Sequence, residues 1–105
     1  MRKICLLLVV VLAMILLAGC SHDPDATYKV TYYGGADTTG FPPTDDNQYK
    51  SGDEATVLGP GILKKEGYTF QNWNTNRDGS GDPYSEGDKI TIKGAVFLYA
   101  VWIKQ

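Results

Sequence analysis

Cysteine and histidine are nearly missing from this chain. Its 105 residues include two Cys, Cys5 and Cys20, and a single His, His22. No Cys follows position 20, so the remainder has neither a disulfide nor a thiolate for catalysis or metal. The lone His precedes the predicted domain, which leaves that domain no imidazole for a Ser-His-Asp triad. Basic residues are also in deficit. Ten Lys+Arg stand against 12 Asp+Glu, and two of the ten, Arg2 and Lys3, lie at the extreme N-terminus. The part from Cys20 onward therefore has 8 basic and 12 acidic residues, no electrostatic footprint for nucleic acid. A phosphate-binding Gly loop, a His/Cys cluster and a basic aromatic groove are likewise absent. So is a long apolar run. The longest, Ile4–Leu17, has 14 residues, short of the roughly 20 that cross a bilayer.

That run has the proportions of a signal-peptide core, behind the basic start Arg2-Lys3. Leu17-Ala18-Gly19-Cys20 follows it. This tetrad resembles the lipobox of bacterial lipoproteins. The resemblance implies cleavage after Gly19, diacylglycerylation of the Cys20 thiol, and a place in the cell envelope facing outside the cytoplasm. A covalent lipid on Cys20 would be the only attached group, with no further cofactor. Residues 1–19 then form a removable signal, 20–27 a lipidated Cys and polar tether, and 28–105 the folded domain. His22 falls in the tether.

All 12 aromatic residues lie beyond position 20, too many for a disordered tail. From Tyr28 the apolar period is two. Tyr28, Val30 and Tyr32 alternate with Lys29 and Thr31, predicting a half-buried strand. Glu54–Leu58 and Tyr68–Trp73 predict a second and third strand, the latter with Tyr68 and Phe70 on one face. Ile90 and Ile92 mark a fourth, and Val96–Ile103 the last. Ile62–Glu66 predicts one or two helical turns closed by Gly67. The expectation is an α+β, mostly β domain of about five short strands and one short helix. Its predicted core is Val30, Val57, Leu63, Tyr68, Phe70, Trp73, Ile90, Leu98, Ala100 and Trp102. With no disulfide, a domain of this size retains a few kcal/mol of stability, and its large aromatics supply much of the buried area.

Gly67-Tyr68-Thr69-Phe70-Gln71-Asn72-Trp73-Asn74-Thr75, then Asp78-Gly79-Ser80-Gly81, Tyr84, Gly87-Asp88 and Leu98-Tyr99-Ala100-Val101-Trp102, resemble the internalin-type B repeat. It is also called the Listeria–Bacteroides repeat. Tyr28–Tyr32 and the turn from Tyr49 to Gly52-Asp53 fit its opening. The resemblance implies a β-grasp-like (ubiquitin-like) fold and a role as an interaction or spacer module, not an enzyme. Two departures stand out. One copy is present where the family often has tandem copies, and Phe97 and Val101 occupy positions that are usually polar.

Phe97, Tyr99 and Val101 share one face of the last strand, opposite Leu98, Ala100 and Trp102. If Trp102 faces the core, that stripe faces out, with Thr31 and Tyr33 extending it, and exposed aromatic patches mark binding faces. A protein or glycan partner, self-association, or cover by a loop would each account for it. Asn74, Asn76, Asp78, Gly79, Ser80 and Asp82 are spaced like the first nine positions of a calcium loop. However, Asn stands at position one, Ser85 at position twelve, and Glu86 comes one residue late. A hairpin turn explains the same residues without metal, so none is expected. Asp45-Asp46 and Asp53-Glu54 imitate paired glycosidase carboxylates but fall in predicted loops and turns, as a solvated face would.

The functional expectation is a lipid-anchored surface protein displaying a non-enzymatic, adhesion-like module. The alternative is a small structural or accessory envelope lipoprotein that self-associates or joins a membrane complex. Cys20→Ala should shift the protein from the detergent phase to the aqueous phase in a partitioning assay, because two acyl chains suffice for stable anchoring; unchanged partitioning would refute lipidation.

Overall fold

The computed structural model describes residues 25–105. The signal, Cys20, His22 and most of the tether lie outside that range. Six strands follow in order: β1 (Val30–Tyr33), β2 (Glu54–Thr56), β3 (Tyr68–Asn74), β4 (Pro83–Tyr84), β5 (Lys89–Thr91) and β6 (Val96–Lys104). Four make one sheet in the order β1-β6-β3-β4, and β2 pairs with β5 in a second. The first and last strands run parallel, Val30 opposite Val96 and Tyr33 opposite Tyr99. Strand β6 is antiparallel to β3, and β3 is antiparallel to β4.

The core lies between the sheets. Val30, Tyr32, Trp73 and Leu98 come from the larger sheet, and Ala55, Val57, Ile90 and Ile92 from the smaller sheet and its extensions. Trp73 is fully buried. Its indole N–H donates to the Leu58 carbonyl at 2.7 Å, and the Leu58 N–H donates to the Tyr32 hydroxyl at 2.9 Å. Both polar groups of one backbone residue after β2 are thus satisfied by aromatic tips from the facing sheet. The Tyr32 and Phe70 rings meet Trp73 edge-on at 4.8 and 5.0 Å. Burial pushes the Tyr32 hydroxyl pKa up from its ordinary value, the Leu58 N–H opposes this, and the Asp45 charge adds to it.

A β-bulge reconciles Phe70 with Trp73. Three positions apart, they would face opposite sides of a regular strand. Phe70 pairs with Trp102 and Asn72 with Val101, which leaves Gln71 as an extra residue and returns Trp73 to the core side.

Several expectations need correction. Among the described residues there is no helix. Gly61 has φ +61°, a conformation outside the right-handed helix. The Lys64 N–H and carbonyl are both bonded to the Thr39 backbone, at 3.0 and 2.8 Å. Residues 62–66 are therefore a bridged turn that delivers Leu63 to the core while Ile62 stays exposed. The described residues form six strands, because Pro83–Tyr84 pairs with β3. Tyr68 is not core. It pairs with Lys104 at the end of the sheet, and the Lys65 ammonium sits 4.5 Å from its ring centroid. Phe70, Ala100 and Trp102 pack against the core partly buried, and Tyr32, Ala55 and Ile92 join it unanticipated.

Trp73→Ala removes both the fully buried ring and the bond to Leu58. It should lower stability by about 3–5 kcal/mol in urea unfolding; a midpoint near that of the unmodified protein would overturn the assignment.

Candidate functional site

The parity of β6 places Phe97, Tyr99, Val101 and Ile103 on the outer face of the larger sheet. Parallel register sets Tyr33 beside Tyr99. Their rings stack at 5.1 Å and 16°, and Tyr33 also stacks with Phe97 at 6.2 Å and 29°. The Arg77 guanidinium lies 5.4 Å from the Tyr99 ring centroid. The result is a ladder, Phe97–Tyr33–Tyr99–Arg77, standing on the sheet. Phe97 is 45% and Tyr33 40% exposed. Tyr99 and Val101 are half-buried, with Arg77 over Tyr99 and Gly79 close to the Val101 side chain. The predicted stripe thus faces outward, and a loop covers part of it.

That loop, residues 75–82, is built around Asn74, whose side chain is buried at the end of β3. Its Oδ1 accepts the Asn76 and Gly81 N–H groups, both at 2.9 Å. Its Nδ2 donates to the Gly79 and Gly81 carbonyls at 3.2 and 3.3 Å. All four hydrogen-bonding positions of the amide are used. Gly81 is required here, since a Cβ would run into Thr75 Oγ1 and approach Asn74 Oδ1 to 2.9 Å. Asn76 Nδ2 donates to Ser80 Oγ at 3.0 Å, and Asp78 Oδ1 accepts the Ser80 N–H and hydroxyl. Those Ser80 bonds, the hydroxyl first, hold the Asp78 carboxyl below its usual range. The residues spaced like a calcium loop are therefore bonded to one another and to the loop backbone, and Asp82 donates its N–H to Thr75 Oγ1 at 2.9 Å.

The acidic pairs are turn elements. Asp45 is buried, accepting from the Asn47 N–H and side-chain amide and from the Tyr49 hydroxyl at 2.6 Å. Asp53 accepts the Lys50 N–H at 2.8 Å. Among the described residues no three His, Cys, Asp or Glu side chains converge as metal ligands.

Beside the ladder an open cleft of about 720 Å³ wraps around the free edge of β6. Tyr33, Tyr99 and Val101 line it from the outer face, Tyr68 and Trp102 from the inner face, with Lys65, Arg77 and Asp78 at its rim. The Trp102 indole N–H donates to the Gly34 carbonyl at 3.0 Å, which fixes the chain as it leaves β1. Sequence reasoning missed Lys65, Tyr68 and Arg77 as site residues. Only the register of β6 and the fold of the 75–82 loop bring them together, and neither is a local signal.

Residues 28–101 match the Listeria-Bacteroides repeat domain. The chain belongs to that family. Two Evansella cellulosilytica proteins are similar, each 43% identical over 77 residues covering 71% of this chain. One is named "Putative membrane protein" and the other "Putative Gly-rich membrane protein". The match covers 11% and 9% of their lengths, so this chain spans about a tenth of each. No solved structure matches.

Asn74→Ala leaves buried backbone groups of the repeat's 75–82 loop without partners. It should cost about 1–3 kcal/mol and accelerate amide exchange at Gly81 beyond the change at Leu98; equal protection at Gly81 in both proteins would show that the loop does not depend on Asn74.

Proposed function

We propose that this protein is a lipid-anchored bacterial envelope protein that displays its Listeria-Bacteroides repeat, in the internalin-type B form, as a non-enzymatic interaction module. The observation that carries the reading is the outward ladder Phe97–Tyr33–Tyr99–Arg77 beside the open cleft. Two similar proteins are named as membrane proteins, which agrees with an envelope location. The tether enters at the start of β1, next to Val96, whereas the cleft lies past its end. The four residues of β1 set those two points about 13 Å apart.

The fold reading that goes with this is β-grasp-like, with the usual crossover helix replaced by the bridged turn at Lys64. Its support is the central parallel pair of first and last strands. Antiparallel bridges of Tyr28 to Tyr49 and of Thr31 to Thr44 add to it by laying residues 44–49 along the other edge of β1. The second reading, an accessory subunit joined to its own membrane complex, rests on the same exposed face.

A soluble form carrying residues 21–105 distinguishes them when offered in parallel to foreign cells or matrix and to the producer's detergent-solubilised envelope. Capture only from outside is the expected result for a display module, and capture only from its own envelope favours the accessory subunit. Phe97→Ser combined with Val101→Ser should keep the melting transition and weaken capture about tenfold. Loss of the fold in that variant would mean the face is structural.

A further inference from the structure

The edge of β6 is only partly used. Strand β1 ends at Tyr33, opposite Tyr99, while β6 continues to Lys104. On that side Ala100–Lys104 have no strand neighbour. The direction of their backbone groups follows from two bonds. The Val96 N–H donates to the Lys29 carbonyl on the β1 side, and the Gln105 N–H donates to the Gly67 carbonyl on the β3 side. Even-numbered residues therefore present N–H and carbonyl toward β1, and odd-numbered ones toward β3. Past the end of β1, the Trp102 and Lys104 amides have no strand partner, and Gly34, Gly35, Ala36 and Pro42 line the cleft beside that edge. Edges of this kind are normally blunted by charge, proline or a covering loop. Here Ala100, Val101, Trp102 and Ile103 are apolar with one charge, Lys104, at the end, and Pro42 and residues 34–36 stand across an open cleft lined from both faces of the strand without pairing to it.

The rim of the cleft has a sign. Lys65 and Arg77 both line it, and each cation lies on an aromatic ring, Tyr68 and Tyr99 respectively. Asp78, the rim's carboxylate, has an oxygen bonded to Ser80. The domain as a whole is acidic, so a positive rim around an open strand edge is a local exception.

We propose that an extended acidic peptide segment of a partner protein adds to this edge as a further strand, in line with β1, its backbone pairing with Trp102 and Lys104 and its carboxylates meeting Lys65 and Arg77. Strand addition of this type takes affinity from main-chain bonds and specificity from alternate side chains. A second copy of this chain fits less well. Symmetric pairing edge to edge would bring both sets of Lys65 and Arg77 onto one seam, where like charges oppose association. The proposal does not depend on lipidation; it rests on the interaction role proposed for the same cleft, which Arg77 shares with the Phe97 ladder.

The test uses the full chain in detergent micelles and two eight-residue peptides, one alternating glutamate with valine and one alternating lysine with valine. The acidic peptide should bind, slow amide exchange at Trp102 and Lys104 about tenfold, and lose affinity as salt is raised. Lys65→Glu with Arg77→Glu should weaken the acidic peptide about tenfold and favour the basic one. Lys104→Pro removes a donor on the open side without touching a bond to β3, and should abolish binding with the melting transition retained. Equal binding of both peptides, absence of binding, or binding that survives Lys104→Pro would overturn the proposal. So would a dimer in sedimentation that Lys104→Pro dissolves, since the edge would then belong to a second copy.

Discussion

The two sheets are held in register by one backbone residue. Leu58 gives its N–H to Tyr32 and receives the Trp73 indole N–H, so the segment just after β2 is bonded to β1 and β3 at once. Neither aromatic could be buried so deeply without a partner for its polar tip. The need to place Trp73 there explains the bulge at Gln71. The bulge in turn sets which of the following residues face outward, Asn74 and the loop it organises among them. A core contact thereby determines the shape of the surface on the opposite side of the sheet.

That surface is assembled, not merely exposed. The tyrosines stand against each other and against Phe97, and Arg77 closes the stack. Their ring faces are largely used on one another, so an incoming molecule meets ring edges, hydroxyls and a guanidinium. The Asn74 amide fixes the loop bearing Arg77 with side-chain bonds to the backbone alone, in a chain whose described part has no disulfide to do so. Family membership and the similarity to proteins named as membrane proteins agree with an envelope location, and the proposed partner would meet this chain's own loop and edge.

Much of this was legible in the residues. Alternation locates five of the six strands and puts Leu98 and Trp102 on the face of β6 opposite Phe97 and Tyr99; which face is outer follows only from the buried Leu98 and the exposed Phe97. What failed was non-local. The Ile62–Glu66 pattern reads as a helix, but Lys64 is bonded to Thr39, a partner that no local propensity reveals. Phe70 and Trp73 both looked like core residues at incompatible parity, and that conflict was itself the trace of the bulge. Tyr68 looked like core by type and alternation, yet it sits at the end of the sheet under Lys65. The residues spaced like a calcium loop are the Asn, Asp and Gly types that turns also use, and here Asn74 bonds to the loop backbone.

The central position of β6 has a consequence for how the chain comes into being. Strands β1 and β3 meet only through it, and β1 must wait for partners 66 positions later, Val96 to Tyr99. Contacts this distant make for slow closure. An emerging chain that has not yet released Val96–Lys104 has no larger sheet to form, so the module cannot mature piece by piece in the order of synthesis. Its native state arrives with the last strand, and until then Trp73 and its neighbours are open to whatever chaperones the unfinished chain.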